Sequence, residues 1–152
     1  MVVYKDKAYV INKEDENDSW FSGFAENWLD AAFRQDPYQI DWSGTSKGKN
    51  CVIELKTRDV PSTQYKTAFI EAYKASQLLY EYIMNGNAPF YINHWTDDVI
   101  SVWNLAKLPE MPQMRRIRAY NNELHQYTET EKYELPMSQA KLYNATTLER
   151  IK

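Results

Sequence analysis

The chain switches repeatedly between helical and two-residue apolar periods, and the switches mark its elements. Residues Val2 to Ile11 alternate imperfectly, as an edge strand or hairpin arm does. NKEDENDS reads as a solvated connector in which Asp18 or Ser19 can cap a helix. In WFSGFAENWLDAAFRQ, Trp20, Phe24, Trp28 and Ala31 recur at helical spacing, widened by Phe21, Leu29, Ala32 and Phe33. They predict a first helix that stops before Pro37. YQIDW and CVIELKT have strand patterns, and the polar turn SGTSKGKN joins them as a hairpin.

After the loop RDVPST, where Ser62 or Thr63 can cap, the spacing of Tyr65, Phe69, Ala72, Ser76, Leu79, Tyr80 and Ile83 predicts one long helix to Met84. Gly86 supplies its stop. FYINHW and VISVWNL predict two strands around the turn TDD. Beyond the two-proline loop AKLPEMPQM, RRIRAYNNELHQYTETEKYEL predicts a short helix and then a strand. SQAKLYNATTLERIK predicts a terminal helix or an irregular tail. The order helix, strand, strand, helix, strand, strand predicts an α/β fold with a mixed sheet flanked by helices. The 152 residues suit one domain, with its core over about residues 19–105 and a less regular part over 106–152.

Composition narrows the function. A mean hydropathy of -0.69 is low for a folded chain, but 12 Tyr and 5 Trp carry large buried areas that hydropathy scales score poorly. A net charge of -3 excludes a general basic coat for nucleic acid, so any such affinity must be local. The lone Cys51 cannot form an internal disulfide and reads as a buried strand residue, which suits a reducing, cytoplasmic setting. No run has the length of a membrane span or the character of a signal sequence, and no phosphate-binding GxxxxGK[ST] loop occurs. His94 and His125 lack a second ligand at zinc spacing.

The chemistry concentrates on the hairpin. Residues two apart on a strand share a face, so Glu54 and Lys56 lie together while Ile53 and Leu55 face the other way. If the hairpin pairs 40–42 with 51–56, Asp41 falls beside Glu54. Two carboxylates suit a hard divalent cation, and a neighbouring ammonium can orient water or stabilise charge on a phosphoryl group. Glu-Leu-Lys taken alone is also an ordinary strand salt bridge; the elements around it carry the distinction.

Those elements, with Ile40-Asp41 before the turn and Glu54-Leu55-Lys56 after it, resemble the PD-(D/E)xK nuclease superfamily over roughly residues Trp20 to Leu105. The resemblance implies a restriction-endonuclease-like core and a Mg²⁺-dependent DNA endonuclease, with Mn²⁺ as substitute. It implies Asp41 and Glu54 as metal ligands, the Leu55 carbonyl as a further ligand and Lys56 as the catalytic lysine. Glu26 on the first helix, or Asp30 one turn on, is the match for an accessory acid. The proline that the family name advertises is Ile40 here. Tyr73 and Gln77 reverse the Gln-x-x-x-Tyr order of the exonuclease-like branch, while Gln77 and Lys66 border the apolar stripe and can face the site. Lys47 and Lys49 in the turn, and Arg115, Arg116 and Arg118, are the candidate phosphate contacts. So small a nuclease would cut a duplex as a homodimer, using exposed apolar residues of the first helix or the C-terminal part. Phage or mobile-element DNA processing, recombination and repair all suit this architecture. The competing reading is a nuclease fold without catalysis, serving as a DNA- or protein-binding module.

Overall fold

The computed structural model describes residues 2–3, 13–34, 41–110, 112–121 and 124–152. Tyr38 to Ile40 of the expected strand and most of the expected N-terminal arm lie outside the described residues. Among these residues ten strands and two α-helices follow in chain order. They are β1 (Val2–Val3), α1 (Lys13–Trp28), β2 (Ala31–Arg34), β3 (Trp42–Ser46), β4 (Lys49–Thr57), β5 (Thr67–Glu71), α2 (Ala72–Asn85), β6 (Ala88–His94), β7 (Val99–Asn104), β8 (Gln113–Asn121), β9 (Gln126–Pro136) and β10 (Lys141–Asn144). Seven strands form a mixed sheet in the order β1-β2-β3-β4-β6-β7-β10, and β5-β9-β8 form a second, antiparallel sheet.

The central strand β4 explains the layering. Cys51, Ile53 and Leu55 face α1 and pack with Phe21, Phe24, Ala25, Leu29 and Trp42. Val52, of opposite parity, packs on the other face with Ala68, Ile70, Ala75, Leu78 and Leu135, contributed by α2 and the second sheet. Each such large side chain removed from water contributes roughly 2 kcal/mol. The two faces of β4 therefore belong to two different cores. Glu54 sits on the α2 face, buried, with only 4% of its surface exposed.

Three elements differ from expectation. The first helix begins at Lys13, inside the run that reads as a connector, and ends at Trp28, and Ala31–Arg34 is a strand antiparallel to β3. Asp30 N–H donates to the Thr45 carbonyl (2.7 Å), so the edge of the sheet captures a run that helical spacing alone had extended. The long second helix is split: Thr67–Glu71 is β5, with Ala68 and Ile70 turned inward, and α2 begins only at Ala72. Its stop is as expected, with Gly86 in the left-handed region at φ 70°. The third difference lies in the less regular part. Gln113–Asn121 and Gln126–Pro136 form two long paired strands in place of the expected short helix and one strand, Arg116 opposite Glu131 and Tyr120 opposite Tyr127, and Lys141–Asn144 closes the main sheet against β7.

The expected hairpin forms, but its first strand is Trp42–Ser46, mostly within the run that reads as its turn, and the turn is only Lys47-Gly48. Gly44 is required where β3 crosses β2. A Cβ there would lie inside contact distance of the Ala31 carbonyl oxygen, a backbone atom that cannot step aside. Gly44→Ala is expected to cost about 2 kcal/mol of stability, read as a lowered denaturant midpoint; an unchanged midpoint would show that β2 shifts freely. Cys51 is buried and burial pushes its thiol up to about 11, against a backbone hydrogen bond at Gly44, in keeping with an inert core residue. No α-helix of the described residues is long and apolar enough to cross a membrane.

Candidate active site

Trp42 pairs with Ile53, so one further step along the register sets Asp41 against Glu54, as the sequence spacing requires. Regular pairing stops there, and the Asp41 side chain continues it: its Oδ2 accepts the Leu55 N–H at 2.8 Å. That bond anchors one carboxylate oxygen to the backbone of the Glu-Leu-Lys segment. Glu54 and Lys56 line a small crevice, about 60 Å³, on the α2 side.

Glu54 is raised to about 8, first by burial and next by the Asp41 carboxylate, which also lies within hydrogen-bonding reach. Two like charges at one sheet end disfavour full ionisation. Lys74, in the first turn of α2, partly offsets this by placing its Nζ 3.0 Å from Glu54 Oε2. Burial opposes the Lys74 charge, but the Glu54 carboxylate outweighs it, and the lysine is held above its ordinary range.

Arg58 completes the wall. Its N–H donates to the His94 carbonyl and extends the β4–β6 ladder by one residue. Its guanidinium donates to Asn93 Oδ1 (2.6 Å), Tyr91 Oη (2.8 Å) and the Phe69 carbonyl. It lies 5.9 Å from the Trp95 ring centroid. With these donors engaged, Arg58 ties β4, β6 and β5 together behind the carboxylates. Arg58→Met is expected to cost about 3 kcal/mol, because buried acceptors lose their partner. Equilibrium unfolding measures this, and a loss under about 0.5 kcal/mol would show the network to be dispensable.

The other expected residues divide. Glu26 is exposed on α1, which covers the opposite face of β4. Trp20 of that helix bonds Thr57 at one end of β4, whereas the Trp28 carbonyl accepts from Ser46 at the other. Glu26 therefore lies toward the far end and is not brought to the carboxylates. Asp30 accepts from Gly48 N–H at that same far end (3.4 Å), together with Lys47 and Lys49 in and beside the turn. Gln77 is half-buried on α2 and lines no part of the crevice, and Lys66 is exposed in the loop before β5. Arg116 and Arg118 stand opposite Glu131 and Glu129, while Arg115 stands opposite Lys132, which lines the crevice, and donates to the Glu134 carboxylate. His94 stacks near Trp20 at 5.3 Å and meets Asp98, as a partnered strand histidine. His125 is exposed in the β8–β9 turn.

The structure adds Lys74, Arg58, Tyr91 and Lys132 to the site. Arg58 carried a signal, since Glu54, Lys56 and Arg58 keep one parity. Among the described residues no group of three or more His, Cys, Asp or Glu is placed to hold a metal. The oxygen donors that converge are the Asp41 and Glu54 carboxylates. This pair fits a hard cation, because positive charge there would relieve the repulsion that raises Glu54.

No protein-family model and no curated protein matches the chain. A solved structure does: the Holliday junction resolvase Hjc of Archaeoglobus fulgidus, an archaeal hyperthermophile, with a TM-score of 0.56 and 12% sequence identity, over 84% of this chain and 86% of that one. The fold resembles that of this resolvase. The resolvase-like fold agrees with the expected mixed sheet and restriction-endonuclease-like core. Because 12% identity conveys architecture alone, the chemistry must come from the residues of this chain.

Proposed function

We propose that the chain is a divalent-cation-dependent DNA endonuclease acting on branched DNA. The observation that carries this is the meeting of Asp41 and Glu54 at one end of β4, with Lys56 on the same face two residues on. The resolvase-like fold supports it and suggests the branched substrate. Asp41, Glu54 and the Leu55 carbonyl would hold Mg²⁺, or Mn²⁺ in its place, which when bound supplies positive charge to the phosphoryl group and acidifies water. Lys56 then directs its ammonium at the attacking water or at a phosphoryl oxygen. Lys74 holds the Glu54 carboxylate in place and favours its ionised form.

DNA would cross the crevice along Lys132 and Arg115, on one face of the β8–β9 ribbon, its phosphates neutralised without sequence reading. A homodimer would supply a second site for the opposing strand. Phe21 and Phe24 of α1 are buried, so the exposed apolar surface for such a dimer is that of α2, at Tyr80, Ile83 and Met84, or of the C-terminal strands, at Met114, Tyr120 and Tyr127.

A cleavage assay tests the reading, with Mg²⁺ or Mn²⁺ and with four-way, nicked, linear and single-stranded DNA. Metal-dependent cutting that favours the branched substrate is expected. A second reading draws on one observation: the Lys74 ammonium already stands 3.0 Å from Glu54 Oε2, where a cation would sit, as in a nuclease fold retained for binding alone. Branched-DNA binding without cutting, and no metal-induced rise in melting temperature, would favour that reading.

A further inference from the structure

We propose a second ligand site, for a nucleotide, in the cavity at the opposite end of the main sheet and on its opposite face. The cavity measures about 470 Å³ and opens where β6 begins and β7 ends, on the α1 side. Its size is that of small-molecule clefts, roughly 300–1,000 Å³. It does not depend on the nuclease reading, because none of its lining is shared with the crevice at Glu54.

Four chain segments bring cations to its rim: Lys47 from the β3–β4 turn, Lys107 from the short helical turn after β7, Lys141 from the start of β10, and Arg150 from the bridge to Tyr143. All four are exposed, and among the described residues no acidic side chain lines the cavity. Arg150 Nε donates to the Lys152 carbonyl. In a protein of net charge -3, four cations converging without an acid among them form an anion site, and a phosphate would relieve their repulsion.

The inner wall is aromatic and half-buried. Trp28 stacks on Phe24 (5.3 Å) and meets Phe90 edge-on (4.9 Å), while Tyr143 braces Phe24 (5.2 Å). Such a preset wall takes a planar base. Gln139 also lines the cavity, and its Oε1 has no partner within the described residues. A carboxamide oxygen accepts from a base amine or a ribose hydroxyl. Phosphate, ring and donor together describe a nucleotide, either free or at the end of a strand.

Calorimetric titration in EDTA tests this, with adenosine 5′-monophosphate, inorganic phosphate and a 5′-phosphorylated tetranucleotide. The nucleotide should bind at least about tenfold more tightly than phosphate. The exposed double variant Lys107→Glu/Lys141→Glu, checked for an unchanged melting curve, should lose at least about tenfold, and Asp41→Asn should lose nothing. Tetranucleotide binding with the same loss, at higher affinity than the free nucleotide, supports the site and assigns it to strand ends. Equal affinity for phosphate and nucleotide, no effect of charge reversal, loss in Asp41→Asn, or no binding of any probe would each overturn the proposal.

Discussion

Lys56→Met should abolish cleavage while leaving the metal-induced rise in melting temperature intact, and Asp41→Asn should remove both. The split follows from the positions of the two groups. Asparagine at 41 keeps an oxygen for the Leu55 N–H, so the end of the hairpin stays tied, but it removes one of the two converging negative charges. Metal affinity and rate fall together. Lys56 brings an ammonium into the crevice and no ligand oxygen, so its loss acts on the reacting phosphate alone. Removal of one electrostatic stabiliser typically lowers a rate by about 10²- to 10³-fold. Single-turnover cleavage of a four-way junction, with melting in parallel with and without Mg²⁺, measures both. Native-like cutting by Lys56→Met would remove the lysine from the mechanism; a retained metal shift in Asp41→Asn would remove Asp41 from the ligand set.

Much of this site was legible because a strand's two-residue period is strict. Parity alone put Glu54 and Lys56 on one face, and the short hairpin put Asp41 beside them. The misreadings came where an apolar run is short enough to satisfy two periods. Ala31 to Phe33 continue the helical spacing of α1, yet an open sheet edge beside them takes the run as β2. Thr67 to Glu71 alternate in burial as a strand should, but their apolar members also fit the helix that follows. That second misreading hid Lys74. In a helix starting near residue 62, Lys74 is a mid-helix lysine off the apolar stripe; in one starting at Ala72 it sits in the first turn, over Glu54. Glu26 failed to join the site for a plainer reason. The same parity that turns Glu54 toward α2 turns Ile53 and Leu55 toward α1, so the helix bearing Glu26 packs on the other face.

The metal-free protein should lose stability as pH rises from about 4.5 to about 8, with Glu54 responsible. Its ordinary value of 4.5 applies to the unfolded chain, and burial with the Asp41 charge raises it to about 8 in the fold. Within that window the folded protein keeps a proton that the unfolded chain has released. Stability therefore falls with pH, by up to about 1.4 kcal/mol per unit. Below the window both states are protonated, and above it both are ionised, so the curve flattens at each end. Glu54→Gln carries no titrating group and should be flat across the window, ending more stable than the native protein at pH 8. Lys74→Met withdraws the partner that favours the ionised carboxylate and should extend the decline to higher pH. Saturating Mg²⁺ should flatten the native curve, because a cation bound to Glu54 favours the same ionised form. Urea unfolding at half-unit pH intervals, with EDTA and with Mg²⁺, resolves these slopes. Parallel curves for the native protein and Glu54→Gln would show that the two carboxylates do not share one buried site, and the metal reading would fall with them.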